Sequence, residues 1–82
     1  MDDMTILVVD DEPGVRSSLK GVLEDEGLEI FTADSGEEGL KQIEKLKPDF
    51  VLLDVLMPSG IDGIETLRRI KASQSDTAVI MI

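Results

Sequence analysis

The sequence contains no cysteine and no histidine. Without cysteine there are no disulfides, thiolate zinc sites or thiol nucleophiles. Without histidine there is no imidazole base, no histidine–metal site and no Ser-His-Asp triad. Tryptophan and tyrosine are also absent, and Phe31 and Phe50 are the whole aromatic content, which removes a stacking platform for nucleic-acid bases. Cations are scarce: 8 Lys and Arg stand against 18 Asp and Glu, a formal charge of −10. Phosphate backbones and anionic lipids repel such a chain, so direct contact with nucleic acid or a membrane is not expected. No apolar run approaches the roughly 20 residues that span a bilayer. The acidic start, Met1-Asp2-Asp3-Met4, lacks the basic region of a signal peptide. The expectation is a cytoplasmic domain. Its chemistry is limited to carboxylates, hydroxyls, lysine, arginine, backbone groups or a hard metal ion.

The 82 residues allow one small domain, and the 41% apolar fraction suffices for a core. Thr5-Ile6-Leu7-Val8-Val9 is a continuous apolar run stopped by Asp10-Asp11, as in a strand buried on both faces. Pro13 suits the first turn of a helix, Val15, Leu19, Val22 and Leu23 form a helical stripe, and Gly27 ends it. Leu28 to Ala33 reads as a second strand. Ser35-Gly36-Glu37-Glu38 is a capping box, followed by the stripe Leu40, Ile43, Leu46 and the stop Lys47-Pro48. Phe50 to Leu53 is a third strand ended by Asp54. Asp62 with Glu65 begins a third helix, striped by Ile64, Leu67 and Ile70, and Thr77 to Ile82 is a fourth strand. Strands alternating with helices imply an α/β fold with a parallel sheet and right-handed crossovers. Periodicity leaves the strand order open. In the order 2-1-3-4, strands 1 and 3 are neighbours at a topological switch point, where ligands bind at the carboxyl ends of strands.

Asp10 and Asp11 directly follow the first strand and Asp54 directly follows the third. In a parallel sheet these positions share one edge. A single Asp after a strand is commonly a cap or turn residue, whereas an acidic pair and a lone Asp meeting at one crevice are harder to explain that way. Carboxylates crowded together repel, and a cation relieves them. An all-oxygen donor set suits Mg²⁺ or Mn²⁺, and a carboxylate beside such an ion can attack phosphorus to form an aspartyl phosphate.

Val8-Val9-Asp10-Asp11-Glu12-Pro13, Leu52-Leu53-Asp54-Val55-Leu56-Met57-Pro58 and the later Asp62-Gly63 together resemble the receiver domain of two-component response regulators. The similarity runs from about Thr5 to Ile82. It implies a flavodoxin-like, doubly wound parallel sheet, of order 2-1-3-4 here and 2-1-3-4-5 in the complete family fold. It implies that Asp54 accepts a phosphoryl group from a sensor histidine kinase or phosphotransfer protein to switch a signalling output. It further implies that Asp11 and Asp54 ligate Mg²⁺, with Asp10 alongside or reaching the ion through water, and that the Leu56 backbone carbonyl supplies a further ligand. An output domain in the full-length protein is the other implied partner.

The sequence departs from the family in two places. The loop from Pro58 to Gly63 has one residue more than the common spacing, so a local change is expected at the start of the third helix. The family's switch Ser or Thr follows strand 4 and its phosphate-pairing Lys follows strand 5, and no such positions lie within residues 1–82; Thr77 precedes strand 4. Residues 1–82 therefore read as one receiver domain without helix 4, strand 5 and helix 5. Two other functions stay open: a Mg²⁺-dependent phosphohydrolase using an aspartate nucleophile, of the haloacid-dehalogenase type, and a receiver fragment that does not switch. Met57 and Pro58 read as loop-shaping residues. Arg16 reads as a solvated helix residue, and Arg68, Arg69 and Lys71 as partners of a helix C-terminus. With helix 1 alone on one face of the sheet, Val79, Ile80, Met81 and Ile82 lie on an open edge strand, and a homodimer through strand 4 is expected.

Overall fold

The computed structural model describes residues 4–58, 60–73 and 75–82. The acidic start before Met4, and Ser59 in the loop with the added residue, lie outside them. The described elements are β1 (Thr5–Val9), α1 (Pro13–Glu24), β2 (Glu29–Ala33), α2 (Gly36–Leu46), β3 (Phe50–Leu53), α3 (Gly63–Ala72) and β4 (Ala78–Met81). β2 and β4 are shorter than the apolar runs suggest. The Leu28 N–H still donates to the Leu23 carbonyl at 3.4 Å in the turn that closes α1. The Thr77 hydroxyl is tied sideways to the Pro48 carbonyl at 2.7 Å.

All strand pairs are parallel, in the order β2-β1-β3-β4. Val9 pairs with Ala33 on one side and Leu53 on the other, and Leu53 pairs with Met81, so the carboxyl ends of the strands line up. Leu7, Val8 and Val9 are fully buried, which accounts for the unbroken apolar run in this central strand. Leu7, Val9, Val51 and Leu53 point to one face, where Ile43 of α2, Ile70 of α3 and Met57 pack on them. Ile6, Val8 and Ile30 point to the other, under Leu19 and Leu23 of α1. Gly39 lets α2 lie close: a Cβ there would sit 2.9 Å from a Val9 methyl. Gly36 does the same between the helices, since a Cβ would collide with the Thr66 hydroxyl.

The stripe expected on α1 is only half buried. Leu19 and Leu23 reach the sheet, while Val15 and Val22 stay 36% and 63% exposed. α1 lies over β1 and β2, leaving the β3–β4 half of that face open among the described residues. Ile80, paired with Leu52, and Ile82 remain about half exposed there. Both capping expectations hold: Ser35 Oγ accepts the Glu38 N–H at 3.1 Å, and Asp62 Oδ1 accepts the Glu65 N–H at 2.8 Å. α2 ends on Lys47 at φ 50°, in the left-handed region, because the following Pro48 disfavours a further right-handed residue.

Candidate functional site

Asp10, Asp11 and Asp54 meet at the carboxyl edge of the sheet. One carboxylate oxygen from each lies within 4.8 Å of the others. Neighbouring strands cause this convergence. The Asp54 N–H donates to the Val9 carbonyl at 3.0 Å, extending the β1–β3 ladder by one residue, and the Asp10 N–H donates to Ala33 of β2 at 3.1 Å. Asp10 is 5% exposed, and Asp11 and Asp54 are half-buried.

Each turn is fixed by its own carboxylate. Asp10 Oδ1 accepts the Glu12 N–H at 2.9 Å, and Asp54 Oδ1 accepts the Leu56 N–H at 3.1 Å. Leu56 is held beside Asp54 by that bond, on an exposed stretch of the β3–α3 loop. The structure thus brings together the three expected carboxylates and keeps Leu56 at their margin. Met57, by contrast, turns inward and is 3% exposed, a core residue, while Pro58 is exposed.

The loop after β3 is gripped from several sides. The Val55 N–H donates to Ile82 at 3.2 Å, and the Gly63 N–H donates to Val55 at 3.1 Å. A Cβ on Gly63 would collide with the Asp54 carbonyl, so glycine is required for α3 to start against the Asp54 turn. Further along, Gly60 adopts φ 73° and the Ile61 N–H donates to Glu37 at 3.2 Å, which ties the lengthened loop to the first turn of α2. α3 itself begins regularly on its Asp62 cap.

Three residues matter more here than sequence reasoning suggested. Gly63 was visible within the family pattern, although nothing local showed what it contacts. Glu37 carried no signal beyond its place in a capping box. Arg16 is half-buried rather than solvated, and its guanidinium donates to the Asp10 carbonyl at 2.6 Å. Arg68 and Arg69 pair with Glu65 at 3.5 and 3.0 Å on the surface of α3.

The donor set fits a small hard cation. It is all oxygen, partly buried, and none of the ion pairs among the described residues uses its carboxylates. Two unit charges 4 Å apart repel by about 1 kcal/mol in water and about 4 kcal/mol at an effective dielectric of 20, so a divalent ion offsets a real cost.

The profile of the response regulator receiver domain matches residues 6–82. The chain belongs to that family. The response regulator GacA of Pseudomonas viridiflava is 47% identical to this receiver domain over 79 residues, covering 94% of this chain and 36% of the relative. Sporulation initiation phosphotransferase F of Bacillus subtilis is 43% identical over 77 residues, covering 94% of this chain and 61% of the relative. Among solved structures, the response regulator TrrA of Thermotoga maritima, in complex with Mg²⁺–BeF, matches at TM-score 0.88 and 46% identity over 95% of this chain and 67% of that one. The chain spans little more than a third of the GacA relative. Receiver domains are signalling domains, and the order β2-β1-β3-β4 is that of their flavodoxin-like sheet. No helix among the described residues is long and apolar enough to cross a membrane.

Proposed function

We propose that this receiver domain accepts a phosphoryl group on Asp54 from a sensor histidine kinase or a phosphotransfer protein. The observation that carries the reading is the meeting of three carboxylates from two neighbouring strand ends within 4.8 Å. Asp11 and Asp54 would hold Mg²⁺, with the buried Asp10 beside them and the Leu56 carbonyl as a further ligand. The complex of TrrA with Mg²⁺–BeF supports this pocket chemistry in a relative. The ion would supply charge neutralisation for phosphoryl oxygens and for the crowded carboxylates.

The chain's own residues do the rest. One Asp54 carboxylate oxygen attacks the phosphorus of a phosphohistidine. The new O–P bond forms as the donor P–N bond breaks, and the imidazole leaves with the electron pair. The Val9 carbonyl and the Gly63 backbone hold the acceptor turn still, which lowers the orientation cost of the transfer. Water in the same pocket hydrolyses the product slowly, so the domain resets itself without acting on a separate substrate. The setting is the cytoplasm, the target is an output domain in the full-length protein, and the 82-residue chain self-associates through the open β4 edge.

The test uses acetyl phosphate as a small donor and intact mass as the readout. The wild type gains one phosphoryl mass in the presence of Mg²⁺, and Asp54→Asn gains none. Label persisting in Asp54→Asn overturns the assignment.

A further inference from the structure

α2 and α3 begin on side-chain caps from Ser35 and Asp62, whereas Glu12 at the start of α1 makes no capping bond. α1 also has no fully buried residue, so packing holds it thinly to the sheet. Yet α1 starts two residues after Asp11, and any drift of its first turn moves the acidic pair. Arg16 adds a second hold to the one that the Asp10 carboxylate makes on the Glu12 N–H. Its backbone N–H donates to the Glu12 carbonyl at 3.1 Å, and its guanidinium donates to the Asp10 carbonyl at 2.6 Å.

We infer that Arg16 is a positioning residue whose guanidinium clamps the β1–α1 turn and so sets where the Asp10 and Asp11 carboxylates stand. The chemistry suits the task. A guanidinium is permanently charged and makes a charge-assisted bond stronger than a neutral one. It bonds a carbonyl and not a carboxylate, so it orients the pair while leaving the ligand oxygens free. With the Ala33 carbonyl on its N–H and the Glu12 N–H on its Oδ1, Asp10 is then held at three points. The importance of this clamp for metal binding rests on the Mg²⁺ pocket proposed above.

The experiment compares Arg16→Met with Lys20→Met. Lys20 lines the same small hollow as Arg16 and Thr32, and its ammonium pairs with Glu24 at 2.7 Å, so its loss removes one charge without touching the turn. Amide hydrogen exchange is read without metal, and Mg²⁺ affinity by titration. Arg16→Met raises exchange at the Glu12 and Arg16 amides about tenfold while the Asp54 amide changes less than about twofold. It also weakens Mg²⁺ binding about tenfold, and Lys20→Met does neither. The clamp is overturned if the Glu12 amide is unchanged, if all amides rise together with that of Asp54, or if Lys20→Met has the same effect. A wild type that binds no Mg²⁺ overturns the pocket reading instead, and the metal-free exchange still decides the clamp.

Discussion

Asp54, which we propose as the phosphoacceptor, stands in a crowd of like charge. Its carboxylate stands within 4.8 Å of two others, so removing its charge relieves repulsion. Asp54→Asn is expected to raise metal-free stability by about 1 kcal/mol, discounted for the half-exposed position. Urea denaturation checks this, and a lower midpoint contradicts it. Gly63 acts oppositely. Gly63→Ala drives a methyl into the Asp54 carbonyl and is expected to cost about 1–3 kcal/mol, seen as a lower urea midpoint. The carboxylates were legible because chemistry of this kind leaves its residue types at strand ends. Gly63 and Arg16 were less so, because their contacts reach eight or more residues along the chain or onto a carbonyl that carries no sequence mark.

The elements were read almost as they stand, for physical reasons that differ along the chain. β1 and β3 are buried on both faces or nearly so, and continuous apolar runs say so directly. Ser35 and Asp62 announce helix starts because the side chains themselves make the cap bonds. α1 misled, since period 3.6 marks an apolar stripe without saying what covers it, and Val15 and Val22 are left exposed to differing degrees. The end of α2 offers a test. Lys47 sits at φ 50°, where a Cβ costs roughly 1 kcal/mol and glycine has no such penalty. Lys47→Gly is expected to stabilise by about 0.5 kcal/mol after the greater freedom of glycine in the unfolded chain is subtracted. A thermal midpoint at or below wild type contradicts this.

At the scale of the molecule, the strand order became fixed only with the family resemblance, because neighbours in a sheet are not neighbours in sequence. The half-face around Leu52, Ile80 and Ile82 lies next to an edge of β4 that pairs with no strand among the described residues, and such an edge is a template for a second copy. Light scattering across a concentration series is expected to show mass rising toward a dimer, and Ile80→Lys is expected to keep it monomeric. A constant monomer mass for the wild type contradicts this. Bound Mg²⁺ should stabilise the whole fold by mass action, by about 1.4 kcal/mol at ten times its Kd, which raises Tm by about 5–10 °C in a domain of this size. Asp11→Asn should lose most of that shift. The most direct test of the account locates the phosphoryl group itself. After acetyl phosphate treatment with Mg²⁺, borohydride reduces an aspartyl phosphate to homoserine, and peptide sequencing by mass spectrometry reads where. The account predicts homoserine at position 54 alone, and none when Mg²⁺ is withheld. Homoserine at position 10 or 11, or none anywhere in a folded, Mg²⁺-loaded chain, would contradict it.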